Sequence, residues 1–119
     1  DKNLIVNKMH FDAITKKYIT TVAENSKKSI LFINDLCKSI EIILKNKKQY
    51  FGIYNINSLN MSVGKIAKNI SKFYNVPILK KKGMSGYTFY SSNKKFSKVF
   101  KIKFTKDLKE ILLNLSNKN

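Results

Sequence analysis

Residue types that carry most catalytic chemistry are sparse in this sequence. His10 is the single histidine and has no cysteine close to it in the chain, so no zinc site is predicted. The single cysteine, Cys37, lies on the apolar face of a predicted helix, where packing is favoured over a nucleophilic role. The seven acidic residues are scattered, and no pair has a spacing typical of acid/base catalysis. The sequence therefore predicts neither a catalytic residue nor a metal site in this chain.

Motifs for binding a dinucleotide or transferring a hydride are not found either. Gly83 and Gly86 lack the third glycine and the strand–turn–helix context of a phosphate-binding loop. Tyr90 and Lys94 match the Tyr-x-x-x-Lys pair of short-chain dehydrogenases. With six tyrosines and 24 lysines in 119 residues, about one such match is expected by chance, so we assign this pair no catalytic role.

The net charge of +17 first suggests a polyanionic partner such as nucleic acid. All 24 basic residues are lysines, however, and arginine is the residue that most often grips phosphate and reads guanine through two parallel hydrogen bonds. Lysine, isoleucine and asparagine, all abundant here, also share AT-rich codons. We therefore interpret most lysines as a solvated surface and expect only non-specific, salt-sensitive binding to polyanions.

Length and composition indicate one small domain over residues 1–119, with 43% hydrophobic residues to build a core. No apolar run approaches the roughly 20 residues needed to span a bilayer, and no signal peptide is visible, so no membrane partner is expected. One cysteine excludes an internal disulfide and fits a reducing compartment, which predicts a cytoplasmic protein.

Hydrophobic periodicity predicts short strands alternating with amphipathic helices, which is typical of an α/β or α+β fold. Helices are predicted over residues 3–15, over 36–47, after Asn60, over 93–99 and after Thr105. Strands are predicted over residues 18–22, 30–33, 50–56, 78–80 and 87–90.

Four polar residues are predicted to cap helices. Asn34 and Asp35 stand where the N-cap of the 36–47 helix belongs, and Asn60 and Thr105 precede the helices that follow them. Gly64 costs its helix about 1 kcal/mol relative to alanine, which indicates close packing there. Five apolar side chains share one stripe of the 36–47 helix and are predicted to face the core: Leu36, Cys37, Ile40, Ile43 and Leu44.

Three segments in order resemble one family, the extended short-chain dehydrogenases that act as NAD-dependent nucleotide-sugar epimerases and dehydratases. Residues 3–7 (NLIVN), continued by Ala13, are similar to a helix start in the family's C-terminal part. Residues 28–36 (KSILFINDL) are similar to its basic residue, its apolar strand and the aspartate that opens the next helix. Residues 52–56 (GIYNI) and 60–67 (NMSVGKIA) resemble its tyrosine-asparagine-isoleucine signature and the helix after it.

The resemblance covers almost all of the chain and implies a truncated enzyme. It implies the C-terminal, substrate-binding portion of a Rossmann-type NAD(P)-binding enzyme that lacks its dinucleotide-binding half. The family's glycine-rich loop and catalytic residues belong to that missing half, so this chain is expected not to catalyse a reaction alone. The implied partners are a nucleotide-sugar and the missing half, which would bind NAD or NADP. Such a fragment exposes apolar surface, so we expect poor solubility or self-association.

The resemblance also implies which residues touch the substrate. Asn7 matches an asparagine that contacts the nucleotide diphosphate, and Lys28 stands where the family usually has a diphosphate-binding arginine. Ile30 lies near a position that lines the substrate pocket. Two further residues are expected to be structural: Asp35 would fix the strand–helix junction and Asn55 would order the loop after its strand.

Two departures from the family's pattern lower the expected strength of phosphate binding. Lys28 keeps the charge of the arginine but loses its bidentate fork. The family's second basic contact falls at Met84 and Ser85, neither of which is basic, although the lysines at 80–82 could substitute from the same loop.

Two other functions stay open. Residues 87–104 interleave aromatic residues with lysines, which would suit a small lysine-rich nucleic-acid-binding module. Against this, those aromatic residues alternate as core-facing strand residues would, and arginine is absent from the sequence. The third possibility is a packing or regulatory fragment that binds no ligand.

Overall fold

Helices and short strands alternate along the chain, as the hydrophobic pattern predicts. The computed structural model describes residues 4–48, 50–83 and 86–117. Its helices are α1 (Ile5–Thr15), α2 (Ile33–Lys45), α3 (Val63–Tyr74), α4 (Lys94–Phe100) and α5 (Leu108–Ser116). Its strands are β1 (Ile19–Thr21), β2 (Lys27–Ile30), β3 (Leu59–Ser62) and β4 (Ile78–Lys80). The mixed α/β class predicted from the sequence is confirmed.

The strands form two small sheets. Strands β1 and β4 pair in parallel, with Ile19 opposite Ile78. Strands β2 and β3 pair antiparallel, with Lys27 opposite Ser62 and Ile30 opposite Leu59. Because the second sheet directly precedes both α2 and α3, it fixes where each of these helices starts.

The main core lies between α1, α3, α5 and the first sheet. Apolar residues three or four positions apart supply it, as expected for the amphipathic helices that the sequence predicts. The fully buried members include Ala13, Ile19, Ile66, Ala67, Ile70, Leu108 and Leu112. A second, aromatic-rich cluster contains Phe96, Ile102 and Phe104.

Close packing at Gly64 is also confirmed. The Gly64 N–H donates to the Glu24 carbonyl at 2.9 Å. A Cβ at this position would lie 3.1 Å from the Cβ of Glu24. The start of α3 therefore sits directly against the turn that follows β1.

Three strand predictions are wrong in place or in kind. Strand β2 ends at Ile30, where the predicted 30–33 strand would begin. The Phe32 N–H donates to the Ser58 hydroxyl at 2.9 Å, and α2 starts at the next residue, Ile33. Residues 50–56 form no strand: β2 pairs with β3 at Leu59–Ser62, and Tyr54 and Ile56 pack against the aromatic-rich cluster. Residues 87–90 follow the β2 region with one backbone bond, from the Phe89 N–H to the Lys27 carbonyl at 3.0 Å, but form no regular ladder.

Helix α2 turns its polar side inward, so the predicted core-facing stripe is wrong. Asp35 and Ser39 are fully buried, whereas Cys37 and Leu44 are exposed. The predicted packing role of Cys37 is therefore wrong as well. Asn34 and Asp35 do not cap α2, because they lie inside its first turn and the helix has no side-chain cap.

The other two predicted caps are displaced by two residues each. Asn60 lies within β3, and Ser62 caps α3 by accepting from the backbone N–H three residues on at 3.3 Å. Thr105 is buried, and Asp107 caps α5 by accepting from the N–H two residues on at 2.9 Å. Both predicted residues are instead held by distant parts of the chain: the Asn60 side-chain amide donates to the Ser91 carbonyl, and the Thr105 N–H donates to the Asp35 carboxylate.

His10 joins α1 to α3 through a partly buried polar contact. Its Nδ1 lies 2.6 Å from the Tyr74 hydroxyl. Burial lowers the pKa of His10 below its ordinary value of 6.5 and raises the pKa of Tyr74 above 10.0. The folded chain therefore favours a neutral imidazole at this position.

We expect the free energy of unfolding to fall as the pH is lowered from about 7.5 to about 5.5, because the unfolded chain takes up a proton on His10 before the folded chain does. This contribution to stability is complete above the unfolded pKa and is lost as the pH falls toward the lowered folded pKa. Urea denaturation across this pH range measures it. Since His10 is the only histidine, the His10→Gln variant should lose most of the pH slope, and an unchanged slope would contradict the assignment.

Candidate functional site

A cavity of about 370 Å³ opens between the start of α1, the end of β2 and helix α5. Each of these three elements contributes one polar side chain: Asn7, Ser29 and Asn114. The remaining walls are apolar and comprise Leu4, Ile5, Val6, Ile30, Leu31, Phe32, Ile33, Leu36, Ile111 and Leu115. An apolar cavity with a few polar groups on separate elements is the usual form of a small-molecule site.

Two of the residues selected from the sequence, Asn7 and Ile30, meet in this cavity. Asn7 lies in the first turn of α1 and is half-buried, while Ile30 ends β2 and is buried opposite Leu59. They are distant in sequence and are brought together because α1 and β2 pack on the same core. Their contact with a substrate stays a prediction.

Lys28 lies on the same strand but outside the cavity lining. Since side chains two residues apart on a strand point to the same face, Lys28 and Ile30 share a face of β2. The Lys28 ammonium donates to the Tyr87 carbonyl at 2.5 Å and lies 5.7 Å from the centre of that tyrosine's ring. One hydrogen bond leaves two of its three N–H donors for other acceptors. Its binding of a diphosphate stays a prediction.

The segment 86–91 runs beside β2 and was not recognised from the sequence as part of the site. Its Ser91 hydroxyl lies 2.7 Å from that of Ser29, which itself lines the cavity. The Asn60 side-chain amide donates to the Ser91 carbonyl at 2.8 Å. The sequence predicted a strand at 87–90 with core-facing aromatic residues, and it gave no signal that this segment borders the cavity. The predicted phosphate contact at residues 84–85 lies outside the described residues.

Aromatic rings of this segment point outward. Tyr87, Phe89 and Tyr90 are exposed, so the prediction that these aromatic residues face the core is wrong, although it is confirmed for Phe96 and Phe104 further along. The Lys27 ammonium lies 5.8 Å from the centre of the Tyr90 ring. Lysines and exposed rings therefore alternate across this surface.

Asp35 ties three distant parts of the chain together. Its Oδ2 accepts from the Ser58 hydroxyl at 2.5 Å and from the Thr105 N–H at 2.9 Å. Its Oδ1 accepts from the Thr105 hydroxyl at 3.3 Å. The same Ser58 oxygen accepts from the N–H of Phe32, which lines the cavity. Asp35 thus holds the junction between β2 and α2 by long-range bonds and not as a helix cap.

Asn55 is exposed, and its role in ordering the loop stays a prediction. The strand to which that role referred is not present. Asn57, two residues on, is buried, and its carbonyl accepts from the Asn93 side-chain amide at 2.5 Å. The sequence analysis did not single out Asn57, because only tertiary burial distinguishes it from Asn55.

The residues of this chain do not fit NAD or NADP. The sequence holds four glycines and no G-x-G-x-x-G motif, and the one glycine at a strand–helix junction, Gly64, already donates its N–H to Glu24. Over residues 4–48, 50–83 and 86–117, no three His, Cys, Asp or Glu side chains cluster as metal ligands. In the same part of the chain, no helix has the length and apolar character needed to cross a bilayer.

No family model and no curated protein matches the sequence, but solved structures match the fold. The UDP-N-acetylglucosamine 4-epimerase from Bacillus cereus matches 98% of this chain at a TM-score of 0.78 and 18% identity. The dTDP-glucose 4,6-dehydratase from Bacillus anthracis, in complex with NAD, matches 93% at a TM-score of 0.74 and 15% identity. MoeE5, in complex with UDP-glucuronic acid and NAD, matches 95% at a TM-score of 0.77 and 8% identity.

This chain spans only 44%, 37% and 40% of the lengths of those three proteins, respectively. Its fold is therefore that of one part of the NAD-dependent nucleotide-sugar epimerases and dehydratases. The fold implied by the motif residues is confirmed.

Proposed function

We propose that this chain is the substrate-binding portion of an NAD(P)-dependent nucleotide-sugar epimerase or dehydratase and has no catalytic activity alone. The observation that carries the proposal is the meeting of Asn7 and Ile30 in one cavity within this fold. Those two residues were selected from local sequence motifs, and their juxtaposition required the tertiary structure. MoeE5, a structural neighbour, was solved with a nucleotide-sugar, UDP-glucuronic acid, which supports the ligand class.

In this proposal, each substrate group has a partner on the chain. The Lys28 ammonium holds the diphosphate with the N–H groups not used by Tyr87, and the Asn7 amide donates to a phosphate oxygen. Ile30 and the apolar walls pack against the less polar face of the sugar. Lysine binds as a point charge, so the diphosphate is held less rigidly than by an arginine fork.

The chemistry is divided between two portions. A bound nicotinamide cofactor accepts and returns a hydride, and the dinucleotide-binding half, which is absent from this chain, would bind it. This portion contributes by fixing the sugar-nucleotide in place and orienting it. We place the protein in the cytoplasm, where a lone thiol such as Cys37 stays reduced.

The substitution Lys28→Glu is expected to weaken binding of a sugar-nucleotide by about tenfold or more, because it replaces attraction to the diphosphate by repulsion. Titration of the ¹⁵N-labelled chain with UDP-N-acetylglucosamine and with dTDP-glucose, followed by NMR, measures the affinity. The backbone amides of Asn7, Ser29 and Ile30 should shift on binding.

The matched control is Lys65→Glu, which makes the same change in charge at an exposed position of α3, outside the cavity lining. An equal loss of affinity in both variants would show that the net charge of the chain, and not the position of Lys28, causes the weaker binding. The absence of any saturable shift with either ligand would contradict the proposed function.

A second candidate, binding of single-stranded nucleic acid, is favoured by one observation. Tyr87, Phe89 and Tyr90 are exposed beside Lys27 and Lys28, which places stacking faces next to positive charge. Fluorescence anisotropy with an oligothymidine decides between the two functions. A linear fall of log affinity with log salt, with quenched tyrosine fluorescence and no response to sugar-nucleotides, would favour this candidate.

A further inference from the structure

A second cavity, of about 430 Å³, lies between helices α3 and α5 and shares no lining residue with the candidate site. Three residues of α3 and three from the start of α5 form its walls: Asn69, Lys72, Phe73, Asp107, Lys109 and Leu112. Leu112 is fully buried and Phe73 packs against the main core, so the core also fixes the apolar part of this cavity. We call it the α3–α5 cavity.

Two lysines, one on each helix, bring positive charge to the α3–α5 cavity. Lys72 lies in the last turn of α3, and Lys109 lies in the first turn of α5. Four other lysines form ion pairs within the described part of the chain, but the ammonium groups of Lys72 and Lys109 form none there. Each of the two therefore keeps its three N–H donors for an external anion. The N-terminus of α5 adds partial positive charge at the same wall.

Two acceptor oxygens belong to residues that line the same cavity. The Asn69 amide donates to the Lys65 carbonyl at 2.8 Å and to the Met61 sulfur at 3.8 Å, so its Oδ1 is left to accept a hydrogen bond. The Asp107 Oδ1 accepts from the Lys109 backbone N–H at 2.9 Å, and its Oδ2 accepts from no group in the described ranges. Both free oxygens suit a ligand that carries hydroxyl groups.

We propose that the α3–α5 cavity binds a sugar phosphate, a phosphate monoester that carries several hydroxyl groups. The two lysines hold the phosphate by charge, as lysine commonly does. The oxygens of Asn69 and Asp107 accept hydrogen bonds from sugar hydroxyls. The Phe73 ring and Leu112 pack against the less polar face of the sugar. An apolar wall with a few converging polar groups is typical of small-molecule sites.

The Asp107 carboxylate argues against a ligand that carries negative charge alone. A bare phosphate or an acidic peptide would be attracted by the two lysines but repelled by this carboxylate on the same wall. Hydroxyl groups change the sign of that contact, because a carboxylate is a strong acceptor for them. The mixture of two cations and two acceptors therefore fits a hydroxyl-bearing anion better than a simple one.

Titration of the ¹⁵N-labelled full chain with glucose 1-phosphate, followed by NMR, tests the proposal. Inorganic phosphate and glucose are titrated in parallel. The backbone amides of Asn69, Lys72 and Lys109 should shift in a saturable way, with an affinity for glucose 1-phosphate at least about tenfold above that for either part alone. Equal affinity for inorganic phosphate, or saturable shifts confined to the amides of Asn7 and Ile30, would overturn the proposal, as would no saturable shift at all.

The double substitution Lys72→Gln with Lys109→Gln should weaken binding of glucose 1-phosphate by about tenfold or more, because it removes both cations of the cavity. Both side chains are exposed, so the fold should persist, and the amide spectrum of the free variant checks this. The matched control is Lys65→Gln with Lys68→Gln, which removes the same charge from α3 outside the cavity lining. An equal loss of affinity in the control would overturn the site.

A single substitution, Asp107→Asn, separates recognition of hydroxyl groups from attraction by charge. Asparagine caps a helix as well as aspartate does, so α5 should stay intact. The affinity for glucose 1-phosphate should fall by about fivefold or more, because a charged acceptor is lost. The affinity for inorganic phosphate should rise, because a repelling charge is lost. An unchanged or increased affinity for glucose 1-phosphate would overturn the proposal.

This site stands or fails independently of the proposed function. The α3–α5 cavity and the candidate site have no lining residue in common, and their binding is read from different backbone amides. Sugar-nucleotide binding that depends on Lys28, without glucose 1-phosphate binding at Lys72 and Lys109, keeps the proposed function and removes this site. The reverse result keeps this site and removes the proposed function.

Discussion

The substitution Asp35→Ala is expected to lower the free energy of unfolding by about 3 to 5 kcal/mol, because it removes a buried acceptor from several hydrogen bonds at once. The Asp35 carboxylate is fully buried and accepts from Ser58 and from both the N–H and the hydroxyl of Thr105. Alanine leaves these donors buried and unpaired. Urea denaturation followed by circular dichroism measures the loss.

A second substitution separates hydrogen bonding from the loss of packing. Asp35→Asn keeps the size of the side chain but replaces one acceptor oxygen with a donor, so it should destabilise less than Asp35→Ala. Glu41→Ala on the same helix removes only an exposed ion pair with Lys45 and should change stability little. Equal effects of Asp35→Ala and Glu41→Ala would contradict the role assigned to the Asp35 hydrogen bonds.

The double substitution Ile40→Gln with Leu44→Gln is expected to raise the solubility of the isolated chain by at least about tenfold, since the two side chains together lose more than roughly 1.4 kcal/mol of favourable burial between molecules. The melting temperature should hardly change, because neither side chain is buried within the chain. Sedimentation velocity and the saturation concentration in ammonium sulfate measure association and solubility.

Lys65→Gln with Lys68→Gln provides the control, because it makes two substitutions on the exposed side of α3 and leaves the apolar side of α2 intact. That variant should self-associate as much as the unaltered chain does. An unaltered chain that stays monomeric at high concentration and gains nothing from the α2 substitutions would contradict the prediction.

Local periodicity was sufficient for α1, α3 and α5. Their apolar residues recur every three or four positions, and these three helices pack against one another on a shared core. Strand positions were less well predicted, because a strand exists only where a neighbouring edge is free. Residues 50–56 have strand-like composition, but β2 pairs with β3, and Tyr54 and Ile56 pack against the aromatic-rich cluster.

Helix α2 shows where the same argument fails. Its periodicity correctly predicts a helix with one apolar side, but periodicity does not state what that side faces. The orientation depends on Asp35, whose partner Thr105 lies 70 residues further along the chain. No local pattern contains a bond of that separation.

The candidate site divides in the same way. Asn7, Lys28 and Ile30 were selected from local motifs, and the fold places two of them in one cavity. The anchoring of Lys28 by Tyr87, and of the 86–91 segment by Asn60, was not predicted. Both depend on contacts between segments roughly 30 to 60 residues apart, for which short motifs carry no signal.

The sequence by itself determined the mixed α/β class, most of the helices and the similarity to nucleotide-sugar epimerases and dehydratases, because these depend on residue spacing within short segments. Only the tertiary structure decided that Asn7 and Ile30 share a cavity, that Asp35 is a buried junction and that the apolar side of α2 faces outward. Those outcomes are set by hydrogen bonds and packing between distant segments, where a few buried polar bonds outweigh the local preference of an apolar stripe for the core.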